Sequence, residues 1–186
     1  IVVDPKGGGD HSDMQSAIDA AEAGDRVLVL PGEYAMTQTL SFRGKSIRVA
    51  AEVGPGETVI RMVEPAPDPT LASVVAFSGG EGPGSVLEGF TVTGGRGTGK
   101  DPALLMGGGV LCTDGSSPTI AGCVIEGNSA ASGGGLYVAS GCSPSVLECV
   151  FRNNSSERGG GILSDGRVTV ARSIFSGNST LYMGGG

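Results

Sequence analysis

The chain of 186 residues carries 12 Lys and Arg against 19 Asp and Glu, a net charge of −7, with 35 Gly, 4 Cys and no Trp. An acidic chain without a basic cluster argues against nucleic acid or anionic lipid as a partner, and no apolar run reaches the ~18 residues of a membrane span. Glycine this frequent without a three-residue period is not collagen, and 39% apolar residues is too many for a disordered chain.

In chain order, Ser12 followed by Gln15 has the form of a capping box, and Met14, Ala17, Ile18 and Ala21 then share one helical face. Gly24 is a helix stop. The apolar run Val27-Leu28-Val29-Leu30 reads as a buried strand closed by the turn Pro31-Gly32. Further strands are expected at Thr39–Phe42, Ile47–Ala50 and Thr58–Met62, and the proline-rich stretch Glu64–Thr70 is a loop. From Val74 the pattern changes to short strands separated by glycines. The segment Ser85–Gly95 aligns with Thr119–Asn128 and is followed by a lengthened link, Arg96–Met106.

The second half is repetitive. Gly-Gly-Gly occurs at Gly107–Gly109, Gly133–Gly135, Gly159–Gly161 and Gly184–Gly186, at spacings of 26, 26 and 25 residues. Asn128, Asn154 and Asn178 recur in the same phase, each three residues after Ile125, Phe151 or Phe175. Two marks repeating at one period mean stacked units, each a coil of two or three strands paired in parallel with its copies. Glycine supplies the corners, and the three asparagines form an internal ladder of turn-stabilising amides. Cys123 and Cys149 fall at the same point of successive coils and extend that ladder as small buried thiols, the alternative being a bridge between neighbouring coils in a strained in-register geometry; no CxxC pair suggests zinc. Period-2 alternation then divides the strands. Ile125, Phe151 and Phe175 point inward with Cys123, Cys149 and Ser173, and so do Val110, Leu136 and Ile162. Two outward apolar stripes remain, Leu111-Tyr137-Leu163 and Val124-Val150-Ile174, and these are the candidate interface or binding residues.

On these residues the chain resembles right-handed parallel β-helix proteins of the pectate-lyase-like superfamily. Asp13–Tyr34 is similar to the helical cap and first coil of many members, pectin methylesterases included. The Gly-Gly-Gly-apolar and Phe-x-x-Asn pairs resemble repeats of polymorphic outer-membrane proteins and large bacterial surface proteins. The resemblance implies an all-β, single-stranded right-handed parallel β-helix of ~25–26-residue coils with an N-terminal α-helical cap. It implies one domain over residues 1–186: cap and first strand in 1–34, irregular coils in 35–106 and regular repeats in 107–186. It also implies a secreted or cell-surface bacterial protein.

Esterases and lyases of the superfamily carry grouped acids on one face of adjacent coils. Here Glu126 is followed one coil on by Arg152 and then by Ser176, so no acid column forms. The weak catalytic candidates Asp114 and Asp165 each precede a glycine, which is turn chemistry, and lie two coils, ~10 Å, apart, too far to share an ion. His11, the only histidine, stands beside Asp10 and Asp13 in a loop, where a surface role is expected. The sequence therefore points to a non-catalytic module for adhesion, glycan contact or scaffolding, with a polysaccharide lyase or esterase as the alternative. No metal and no cofactor is expected, calcium entering only under the lyase alternative. The expected partner is a polysaccharide or another protein surface. The new coil begun at Gly184–Gly186 has no cap of its own, so the C-terminal end is expected to be incomplete, with self-association through it or through the apolar stripes.

Overall fold

A computed structural model describes residues 1–183. The Gly184–Gly186 triplet, and with it the expected uncapped end, lies outside the described residues.

The α-helix spans Met14–Ala20, and its cap is Asp13 rather than the expected Ser12. The Asp13 carboxylate accepts both the Ser16 amide (2.8 Å) and the Ser16 hydroxyl (2.7 Å). Gln15 is thereby free to bind the Ser41 backbone, accepting its N–H at 2.9 Å and donating to its carbonyl at 3.1 Å. The helix ends before Gly24. Lys45 donates its ammonium to the carbonyls of Ile18, Asp19 and Ala21 at 2.8, 2.7 and 2.8 Å, satisfying the negative end of the helix. Met14, Ala17 and Ile18 are buried, and the helix packs against strands Val2–Val3, Arg26–Val29 and Leu40–Ser41. It closes the N-terminal end of a stack of coils.

Each regular coil contributes one short strand to each of four parallel sheets. For the coil beginning at Gly107 these are Val110–Cys112, Thr119–Ala121, Val124–Glu126 and Ser129–Ser132. They join, respectively, a five-stranded, a seven-stranded, a six-stranded and a three-stranded sheet. The fourth strand was not expected. Ser129-Ala-Ala-Ser132 carries no apolar alternation and is strand only because Ser155–Arg158 of the next coil pairs with it. Register is kept row by row: Val110 pairs with Leu136 and Leu136 with Ile162, Ile125 with Phe151 and Phe151 with Phe175. Val110, Leu136, Ile125 and Phe151 are fully buried, and the Phe151 and Phe175 rings stack at 5.0 Å.

The two repeating motifs are parts of one contact. Asn128 and Asn154 are buried. Asn154 donates its side-chain amide to the Ile125 carbonyl (2.8 Å), and its Oδ1 accepts from the Asn128 backbone and side chain (3.1 Å each). Asn178 treats Asn154 and the Phe151 carbonyl in the same way. The glycine triplet makes room for this ladder. Gly133 sits at φ 66°, in the left-handed region. A Cβ on Gly135 would lie 2.5 Å from the Gly161 carbonyl and 2.8 Å from the Phe151 ring, beside the Asn154 amide.

Asn154→Ala leaves the Ile125 carbonyl without its side-chain donor and Asn128 without its acceptor, each such loss costing about 1–3 kcal/mol. Gly135→Ala forces backbone against backbone. Both variants are expected to melt well below wild type, by about 2–4 °C per kcal/mol lost. Glu148 occupies a left-handed corner (φ 55°) and pairs only with exposed Arg172. Glu148→Gly relieves strain as it loses that pair, so its stability should stay within about 1 kcal/mol of wild type. Chemical denaturation of the three variants checks the order; an Asn154→Ala protein as stable as wild type would show that the ladder is not what joins the coils.

Candidate functional site

Outward side chains of the five-stranded sheet form one row in register: Ser41, Ala76, Leu111, Tyr137 and Leu163. Two segments that break the repeat fold over the start of this row. The Glu64–Thr70 loop leads into the strand Leu71–Ala72, which pairs antiparallel with Gly97–Thr98 from the lengthened link. The Thr39 hydroxyl donates to the Leu71 carbonyl (2.9 Å) and the Gly99 amide to the Thr70 carbonyl (2.9 Å), fixing the pair in place. Between the sheet and these segments runs a groove of about 870 Å³. Leu71, Ala76 and Leu111 give it an apolar strip, and Ser41, Ser78, Thr98 and Thr113 line it with hydroxyls. Its only charged side chains are Arg43, 3.4 Å from Asp19, and Asp68. The Thr70 hydroxyl (2.6 Å) and amide (2.9 Å) hold Asp68 below the usual carboxylate range. A smaller hollow of about 450 Å³ shares Thr37–Thr39 and Arg43 with the groove and reaches the cap at Asp13.

The expected exposed stripe is corrected here. Leu111 faces outward but is only 6% exposed, because it lies beneath the segments that wall the groove. Tyr137 and Leu163, beyond the groove, are half-buried. On the six-stranded sheet Val124 and Val150 are also half-buried, and only Ile174, on the outermost described strand, is 61% exposed. The second stripe is therefore not a continuous apolar surface.

The structure does not bring Asp114 and Asp165 together. Asp114 is a turn residue at φ 54° that accepts the Thr113 hydroxyl (3.0 Å). Asp165 stacks in the column of Thr113 and Ala139 and accepts the Tyr137 phenol at 2.6 Å. Burial, followed by this carboxylate, pushes the Tyr137 phenol up to about 12. A phenol so placed is protonated near neutral pH and cannot serve there as a base. Glu126 is ion-paired with Arg152 of the next coil. His11 meets Ser16 at 3.0 Å, but that hydroxyl already donates to Asp13. The serine thus completes the helix cap and is not arranged as a nucleophile. Asn128, Asn154, Asn178, Cys123 and Cys149 all belong to the interior stack. Among the described residues no group of three or more His, Cys, Asp and Glu is placed to hold a metal ion.

Most groove residues carry no sequence signature of their own. The signal that could have found them is the pair of interruptions to the 26-residue period, the Glu64–Thr70 loop and the Arg96–Met106 link, which meet on one face.

Parallel coils with an interior amide ladder, a helix across one end and a groove walled by two insertions define a parallel β-helix protein. The chain belongs to the family described as right handed beta helix region, whose sequence model matches residues 75–186, more than half of it. A search of curated proteins finds no match.

Tyr34 is raised to about 12 as well, by burial first, and its hydroxyl donates to the Leu30 carbonyl at 2.9 Å. In both tyrosines the folded state favours the neutral phenol. Their contribution to stability is complete below pH ~10 and is lost as pH rises through ~12. Spectrophotometric titration should show two phenols ionising near pH 12, with Tyr137→Phe removing one of them. Ionisation of Tyr137 near pH ~10 would contradict the Tyr137–Asp165 contact.

Proposed function

We propose that this β-helix is a non-catalytic glycan-contacting module of a secreted or cell-surface protein, and that its groove takes a neutral polysaccharide. The observation that carries the reading is the groove's lining: an apolar strip for the faces of sugar rings, flanked by hydroxyl and amide side chains matched to sugar hydroxyls. Charge decides between neutral and acidic chains. A polyuronate needs cations, whereas the groove offers one arginine already near Asp19, beside an ionised Asp68 and on a chain of net charge −7. Acid–base cleavage of a glycosidic bond requires two groups at one sugar, and the groove's single carboxylate is engaged by Thr70.

The test is binding of the full chain to neutral polysaccharides (xylan, mannan, β-glucan) and to polygalacturonate, by affinity electrophoresis and calorimetry with and without calcium, while product formation is followed. Saturable, calcium-independent binding to at least one neutral chain is expected, with none to polygalacturonate. Leu71 is exposed in the groove wall, so Leu71→Arg should leave the fold intact and weaken binding about tenfold, or ~1.4 kcal/mol. Thr113→Arg should do the same. Turnover of any of these polysaccharides would replace the module with an enzyme, and retention by the Leu71→Arg protein at wild-type strength would move the site elsewhere.

A further inference from the structure

All four cysteines are buried, at 0% exposure for Cys112 and 1% each for Cys123, Cys142 and Cys149, and none is oxidised. Their arrangement is not random. Cys112 and Cys123 stand in one coil, immediately before and after the segment that carries the strand Thr119–Ala121. Cys142 and Cys149 flank the paired strand Ser145–Leu147 in the next coil.

Cys123 and Cys149 are one coil apart in the same row. Ala121 pairs with Leu147 just before them and Val124 with Val150 just after them, and the Val150 amide donates to the Cys123 carbonyl at 2.8 Å. Parallel neighbours stand ~4.8 Å apart, inside the ~4.4–6.8 Å Cα window of a disulfide. The two thiols are in contact.

At the other corner Cys112 ends its strand pointing inward and donates its thiol to the Ser116 carbonyl at 3.3 Å. The same carbonyl accepts the amide of Ser143, the neighbour of Cys142, at 3.3 Å. Cys112, at the end of its strand, therefore meets Cys142, which lies in the turn before Ser145–Leu147 of the next coil. Each thiol faces a partner in the adjacent coil, and both pairs join the same two coils.

We propose that these thiols are a paired redox staple, closing as Cys112–Cys142 and Cys123–Cys149 when the chain folds in the presence of a disulfide oxidant. In each closure one protein thiolate attacks the oxidant disulfide, expelling the first oxidant thiolate and forming a mixed disulfide; the partner thiolate then attacks the protein sulfur of that mixed disulfide and expels the second oxidant thiolate. One protein S–S bond forms and one oxidant S–S bond breaks. The two protein thiols give up two protons and two electrons, and the oxidant leaves as two thiols. Burial pushes the Cys112 thiol well above its ordinary range, so in the folded chain this thiol is a poor nucleophile. Exchange belongs to the folding chain, and the closed staple is shielded from reductant afterwards. The proposal does not depend on what the groove binds.

The experiment refolds the full chain from the reduced, denatured state in two buffers, one with oxidised and reduced glutathione and one with dithiothreitol. Each product is alkylated and mapped by peptide mass spectrometry, and its melting temperature is measured. The glutathione product should contain the Cys112–Cys142 and Cys123–Cys149 peptides and no alkylated cysteine, and it should melt several degrees above the reduced protein. A Cys123→Ala/Cys149→Ala double variant should keep the Cys112–Cys142 bridge alone. Four alkylatable thiols in a folded glutathione product, or a bridge within one coil such as Cys112–Cys123, would overturn the proposal. So would a fully bridged product that melts no higher than the reduced one.

Discussion

The fold depends on how closely one coil can approach the next at the Asn154 amide. That side chain reaches the Ile125 carbonyl and accepts from Asn128 at a corner that Gly135 keeps open, since a Cβ there would meet the Gly161 carbonyl at 2.5 Å and the Phe151 ring at 2.8 Å and crowd the Asn154 amide at 3.2 Å. The interior at this corner is therefore polar, saturated with hydrogen bonds and nearly free of side-chain volume, while the rows beside it are filled by Ile125, Phe151 and Leu136. An unpaired amide here would be costly, so the asparagine and the glycine triplet are one requirement expressed at two places in the repeat.

Charge contributes register more than strength. Arg61 pairs with Glu33, Arg152 with Glu126, Arg172 with Glu148 and Arg48 with Glu88, in each case between one coil and its neighbour. Such exposed pairs are each worth about 0–1 kcal/mol. A slip of one residue would turn each partner to the opposite face and bring an apolar side chain into its place. The groove lies apart from these pairs and is lined by hydroxyls rather than by ion pairs.

Much of this architecture was legible in the sequence because it repeats. The period set the coil length, and alternation placed Val110, Leu136, Ile125 and Phe151 inside. What was not legible depends on neighbours distant in sequence. Ser129-Ala-Ala-Ser132 has no strand pattern and acquires one only from the coil beside it. The cap passes from Ser12 to Asp13, whose carboxylate takes the Ser16 amide and hydroxyl, and Gln15 turns to the Ser41 backbone of another segment. Leu111 reads as outward, and is, yet is covered because two segments outside the repeat fold over it. The groove was hidden for the same reason: it is made by the interruptions, and a period describes only what recurs.

The asparagine ladder also has a direction. Each side chain acts on residues that precede it: Asn128 on Gly95 and Val92, Asn154 on Asn128 and Ile125, Asn178 on Asn154 and Phe151. A coil is thus finished by its successor and never by itself. A chain emerging amino end first meets these needs in the order in which it is made, with the helix already across the first coil. Every later turn of the backbone completes the coil below it and leaves an edge of the same kind above. Duplicating a 26-residue unit would accordingly lengthen the rod by one step while leaving the cap and the groove unchanged.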